Sequence, residues 1–249
     1  MLRRFLLYAV SPLCLVSVLG TACDATPDSL FVASDDDGIF RDDFVGRVLD
    51  DGWSFLGSEP VAGGDSRTQS LAERPGFLRI YPQALDADAE GGTPSGWLRL
   101  ARGDFVLTTR MQFVSVADRQ LAGLVVEGED GRAVTLGLIS VVFPRETFRG
   151  FTLLADRGPD EDPDTEFAVF EGTDVFLRLE RAGDTFEGAF SEDGVTFVTV
   201  GTVSTDLSNS VRVGLGTILR DNCVRDCDRF VPADFDFFQI VFQTIERDG

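Results

Sequence analysis

From Phe40 onward, apolar and polar residues alternate with a period of two. Phe105, Leu107, Met111 and Phe113 fall on one side of a segment, with Val106, Thr108, Arg110 and Gln112 on the other. Val175, Leu177 and Leu179 alternate in the same way with Phe176, Arg178 and Glu180. This spacing predicts half-buried strands, because successive side chains leave a pleated backbone on opposite faces. Turn signals separate the runs: Glu129-Asp130-Gly131, Ala182-Gly183-Asp184 and Glu192-Asp193-Gly194 predict tight hairpins. Pro75-Gly76 predicts a turn into a strand over Phe77 to Ile80. No segment of ten or more residues has helical amphipathicity, and no repeat has the period of a solenoid or propeller. The pattern predicts an all-β domain, a two-sheet sandwich or a barrel. Phe44, Trp53, Phe105 and Phe235 are expected between its layers.

Composition narrows the chemistry. The 249 residues, 43% of them hydrophobic, suit one large β domain. Twenty-two Phe against two Trp and two Tyr imply a phenylalanine-filled interior rather than a tryptophan-studded binding face. The net charge is −20, a field that repels nucleic acid and anionic lipid surfaces. The chain has no His, which removes Ser-His-Asp and Cys-His catalysis and the commonest zinc ligand. It also has no Lys, which removes Schiff-base and P-loop chemistry. Carboxylate chemistry is what is left.

Residues 1–22 have the layout of an export signal. Arg3 and Arg4 precede an apolar stretch from Phe5 to Leu19, shorter than the roughly 20 residues of a membrane span. Gly20, Thr21 and Ala22 lead into Cys23, a layout similar to a bacterial lipoprotein signal in which Cys23 is acylated. Leu19 lies one place earlier than is usual there, and ordinary cleavage with secretion is the alternative. Residues 23–39 are acidic and small, and read as a tether; residues 40–247 form the domain. Cys223 and Cys227 are close enough to bridge across a turn in an oxidising compartment, and acylation gives the odd Cys23 a role. Two thiolates without further ligands make only half a zinc site.

Nine segments, in order, resemble one family. They are Asp42-Asp43-Phe44, Gly52-Trp53, Arg74 to Ile80, Gly103-Asp104-Phe105, Ala122 to Val126, Phe176 to Arg181, Ser191 to Phe197, Val213 to Gly216 and Ala233 to Phe238. Together they are similar to DUF1349-type domains and to the C-terminal domain of family 43 β-xylosidases. The resemblance implies a concanavalin A-like jelly-roll sandwich of two antiparallel sheets, whose concave face or rim can hold a sugar. In those xylosidases the domain accompanies a separate catalytic propeller, for which this chain has no room, so the activity does not carry over.

Several residues are candidates for a site. No cofactor is required, but the resemblance suggests a structural calcium held by Asp236 and Asp43 with backbone oxygens, a hard-oxygen set that needs no His or Cys. The acidic run from Asp156 to Glu166 reads as a solvated loop between strands. A sugar needs an aromatic platform with flanking polar groups: Trp97 is the platform candidate, with Tyr81, Arg99, Arg110 and Arg178 as polar contacts. Glu127 and Glu129 share a strand face and are the one pair suited to glycoside hydrolysis, although they do not match the carboxylate pattern of sandwich-fold glucanases. The leading expectation is a non-catalytic, lectin-like lipoprotein of the bacterial cell envelope with a glycan ligand. A protein-binding or structural envelope module is the alternative, and a glycoside hydrolase comes third.

Overall fold

Two antiparallel sheets take up the alternating segments. The computed structural model describes residues 38–57, 68–82, 94–115, 118–142, 147–157, 164–219 and 231–243. Cys23, Cys223, Cys227 and nearly all of the signal and tether segments lie outside them. The strands are β1 (Ile39–Asp42), β2 (Ser54–Leu56), β3 (Gln69–Ser70), β4 (Leu78–Ile80), β5 (Pro94–Arg102), β6 (Phe105–Gln112), β7 (Gln120–Glu127) and β8 (Ala133–Val142), followed by β9 (Thr147–Ala155), β10 (Asp164–Val169), β11 (Asp174–Ala182), β12 (Thr185–Ser191), β13 (Val198–Ser204), β14 (Ser210–Leu219) and β15 (Ala233–Phe242). One sheet runs β13-β12-β11-β6-β15-β4-β3, with β1 also on β15; the other runs β10-β9-β8-β7-β14-β5-β2. No helix occurs among the described residues. The expected all-β sandwich is what forms.

The period-two pattern sets the packing. Phe105, Leu107 and Met111 of β6 and Val175, Leu177 and Leu179 of β11 are fully buried. They face Ala122, Leu124 and Val126 of β7 and Leu136 and Leu138 of β8 within one core. Phe44, Phe105 and Phe235 lie in that core, and Trp53 packs against it with its ring 5.2 Å from that of Phe238. Each buried Phe or Leu contributes about 1.5–3 kcal/mol of apolar transfer. The hairpin glycines 131, 183 and 194 all take positive φ (83°, 60° and 74°), as their turns require.

Two departures from expectation concern boundaries. β1 opens at Ile39, the last residue assigned to the tether, because Ile39 pairs with Val241 and Gly38 accepts a hydrogen bond from Phe242 N at 2.8 Å. Asp164 to Glu166, expected in a loop, begin β10 by pairing with Ala155 to Leu153 of β9. The Arg157–Asp164 ion pair at 2.9 Å stands at the mouth of that connection.

Polar groups pin the layers at their ends. Arg181, only 3% exposed, donates from Nε to Gly183 O at 2.9 Å and from Nη2 to Leu207 O and Ser208 O at 3.0 Å each. It thus ties the β11–β12 turn to the segment before β14. Burial lowers its pKa, with Asp104 and Asp184 opposing that shift. At the other edge, the buried Asp42 accepts from Phe44 N and Trp53 Nε1, both at 2.9 Å, and this holds Phe44 at φ 53°, a left-handed conformation rare for a bulky residue. On the outer face of the larger sheet, Asp234 joins Arg74 at 2.8 Å and Arg79 at 2.7 Å. Its burial raises the pKa, but hydrogen bonds from Arg79 and Arg74 outweigh that and leave it lowered. Asp174 is lowered chiefly by its hydrogen bond with Arg110.

A glycine seam crosses the smaller sheet. Register aligns Gly96, Gly216, Gly123 and Gly137 on four neighbouring strands, β5, β14, β7 and β8. A β-carbon on Gly123 would lie 2.0 Å from Leu136 O, and one on Gly214 would lie 2.1 Å from Trp97 O. Adjacent backbones approach there too closely for any side chain.

Two outcomes check this account. Arg181→Met, which keeps the aliphatic stem and strips the donors, should cost about 3 kcal/mol in urea unfolding. Because Asp174 and Asp234 titrate below their unfolded values, the stability they add is present above about pH 4 and disappears as the pH falls through their folded values. The denaturation midpoint should therefore drop on acidification from pH 5 towards about pH 2, and Asp234→Asn should lower it at pH 7 while shrinking the further acid-induced drop.

Candidate functional site

Register decides which candidate residues face outward. Leu215 of β14 points into the core, and Trp97 opposite it on β5 must do the same. Trp97 was expected as an exposed sugar platform; its ring instead packs against the core and lies 5.5 Å from that of Phe55. Arg99, two residues on, also points inward. It is 8% exposed, with its guanidinium 3.4 Å from the centre of the Phe40 ring and 5.5 Å from that of Trp53. Burial lowers its pKa while Asp42 and Asp50 oppose the shift. The same alternation turns Leu100 to the outer face, whereas Leu98 is fully buried.

Arg110 and Arg178 occupy the outer face of the other sheet, so the five expected sugar contacts do not converge. Arg110 is held by both oxygens of Asp174 (2.9 and 2.8 Å) and by Asp236 at 3.2 Å. Arg178 lies 4.6 Å over the Phe197 ring. Tyr81 donates to Glu73 at the β3–β4 edge. The rings on this face are covered: Arg41 sits 4.0 Å over Phe237, and Gly194 of the β12–β13 turn lies against Phe176.

The calcium pair is likewise engaged elsewhere. Asp43 is bound by Arg41, with Nε 2.8 Å from Oδ1, and Asp236 by Arg110. Among the described residues no group of three metal-ligating side chains forms. One oxygen of each carboxylate is thus held by a guanidinium group.

A cavity of about 360 Å³ opens at one end of the outer face of the smaller sheet. It is lined by Leu100 of β5, Glu127 of β7, Gly128, Glu129 and Gly131 of the β7–β8 turn, and Ser210, Val211 and Arg212 of β14. Its geometry follows from strand pairing: Arg212 lies opposite both Glu127 and Leu100. Glu127 and Arg212 form an ion pair, the carboxylate 12% and the guanidinium 42% exposed. Arg212 Nη2 lies directly against Glu127 Oε2, which is otherwise shut off from solvent. Leu100, 45% exposed, supplies an apolar floor. The turn is fixed by Gly128 N donating to Arg132 O at 2.9 Å and by Asp130, which accepts from Arg132 N at 3.0 Å and Arg132 Nε at 2.6 Å. Asp130 is lowered in pKa mainly by that Arg132 side chain.

The cavity thus combines an apolar surface, a cation and two carboxylates in a volume suited to a small ligand. Glu127 and Glu129, the tempting pair from the sequence, do line it together. Leu100 and Arg212 were missed, although the alternation of Val211, Val213 and Leu215 already turns Arg212 outward.

The sequence matches the family model of the β-xylosidase C-terminal concanavalin A-like domain over residues 41–241. Solved structures of similar fold include the GH43 BlXynB protein of Bacillus licheniformis, at 20% identity and a TM-score of 0.63, covering 85% of this chain and 40% of that one. The xylan β-1,4-xylosidase of Bacillus halodurans C-125 is 20% identical with a TM-score of 0.61, covering 81% and 39%. A GlcNAcα1-4Gal-releasing endo-β-galactosidase of Clostridium perfringens is 10% identical with a TM-score of 0.57, covering 82% and 62%. This chain spans about 40% of the length of the two Bacillus proteins, and at these identities the likeness is one of fold. No curated protein matches.

The Arg212–Glu127 pair can be weighed directly. A double-mutant cycle with Arg212→Gln and Glu127→Gln, read by urea unfolding, should give a coupling of about 0.5–1 kcal/mol, the range for partly exposed pairs.

Proposed function

This chain belongs to the family of β-xylosidase C-terminal concanavalin A-like domains, and from that premise we propose that it is a non-catalytic carbohydrate-binding module of an exported, lipid-anchored envelope protein. The observation that carries the reading is the cavity beside Leu100. A sugar ring has an apolar C–H face and a rim of hydroxyl groups. Leu100 meets the first, while the Arg212 guanidinium, the Glu127 and Glu129 carboxylates and Ser210 meet the second. The Arg–Glu pair is held by paired strands, so its donors and acceptors are positioned before a ligand arrives. The basic and apolar leader ending at Cys23 supports the export and anchoring part of the reading.

One observation favours protein binding as a second reading. Phe148 and Phe167, 37% and 38% exposed, have ring centres 4.6 Å apart on the outer face of β9 and β10, with Val169 61% exposed beside them. An exposed apolar cluster of this kind suits a protein partner.

Retention of the purified protein on a panel of immobilised polysaccharides separates these readings. Leu100→Ser and Arg212→Gln should each weaken retention by about ten-fold, or roughly 1.4 kcal/mol, with the fold intact by circular dichroism. Retention unchanged in both variants would move the site away from the cavity. Reducing sugar released by the wild type and abolished by Glu127→Gln would make the protein an enzyme instead. Lipidation predicts detergent-phase partitioning that Cys23→Ser removes.

A further inference from the structure

The charges around the cavity do not cancel. Glu127 and Glu129 are both in its lining and Arg212 is the one cation there. The neighbouring Asp130 and Arg132 neutralise each other through their 2.6 Å contact, so the lining carries one net negative charge. Among the described residues Glu129, exposed on the β7–β8 turn, has no ion-pair or hydrogen-bond partner, whereas Glu127 Oε2 is already occupied by Arg212. The guanidinium that could have met an acidic ligand is already spent on Glu127. Beyond the cavity, the −20 charge of the chain adds to the same field.

An acidic sugar would bring a carboxylate or sulfate against two carboxylates with no free cation to receive it. A neutral sugar would satisfy the hydroxyl-sized contacts and leave Glu129 unpaired. A sugar with a free amino group brings an ammonium that supplies the counter-charge Glu129 lacks. Hydrogen bonds between charged partners are roughly twice as strong as neutral ones. Resting on the carbohydrate-binding reading above, we propose that this cavity selects glycans bearing free amino groups, such as glucosamine-containing chains, over their N-acetylated, neutral and acidic counterparts.

The test uses the full protein and short oligosaccharides, to keep general attraction between a polyanion and a polycation small. Calorimetric affinities are measured for a glucosamine oligomer, its N-acetylated form, a xylose oligomer and a galacturonic acid oligomer of equal length. The glucosamine oligomer should bind about ten-fold tighter than its N-acetylated form, with a preference that shrinks as salt is added. Glu129→Gln should erase most of that preference while N-acetylated binding is kept, and Leu100→Ser should weaken all oligomers alike. Asp51→Asn, which removes one exposed charge away from the cavity lining, should change nothing. Equal affinity for the aminated and N-acetylated oligomers overturns this inference and leaves the carbohydrate-binding reading standing. A loss in Asp51→Asn as large as that in Glu129→Gln also overturns it, since the attraction would then be general. If no oligomer binds, both readings fall.

Discussion

Side-chain alternation along a pleated strand couples the interior of this protein to its surface. Each strand must give one of its faces to the inter-sheet core, and that choice dictates what the other face shows. Leu215 inside draws Trp97 inside, which sends Leu100 out. Val126 and Val213 face each other in the core, which sends Glu127 and Arg212 out together on adjacent strands. Leu100, Glu127 and Arg212 of the cavity lining are therefore set by what the core takes, and Val211 belongs to both. A one-residue slip of β14 would part Arg212 from Glu127 and expose Val211 and Val213, so core burial enforces the geometry of the site.

Arginine does the work that a chain without lysine must assign to one residue type. Its planar, weakly hydrated head tolerates burial better than an ammonium and can serve several acceptors at once. Arg181 draws three carbonyl oxygens to one end of the sandwich, Arg149 reaches Phe113 O at 2.7 Å, and Arg99 lies flat on Phe40. Burial lowers the pKa of all three, yet from so high a starting point that each keeps its charge. The same chemistry on the outer face of the larger sheet engages Asp174, Asp234 and Asp236.

Strands and hairpins were legible from sequence because their signals are local. Phe105 to Phe113 declares its faces by composition alone, and Gly131, Gly183 and Gly194 declare their turns. The orientation of β5 was not legible: Trp97-Leu98-Arg99-Leu100 puts an apolar residue in both phases, so either face could have been the inner one. Only the pairing with Leu215 resolves it. The cavity was half legible. Glu127, Glu129 and Gly131 stand close together in the chain, but Leu100 and Arg212 reach them through pairings between β5, β14 and β7 that no local pattern encodes. The guanidinium partners of the calcium candidates were hidden for a related reason, since Arg41 and Arg110 become neighbours of Asp43 and Asp236 only once the strands are in place or the chain turns.

The seam through Gly96, Gly216, Gly123 and Gly137 limits how this protein can diversify. At Gly123 a β-carbon would fall 2.0 Å from a carbonyl oxygen and at Gly96 2.5 Å, so that even alanine there forces the backbones apart. Any lineage or engineer seeking a different ligand must therefore vary the rim, through the length and composition of turns such as that from Gly128 to Arg132, while the middle of the sheet is inherited unchanged.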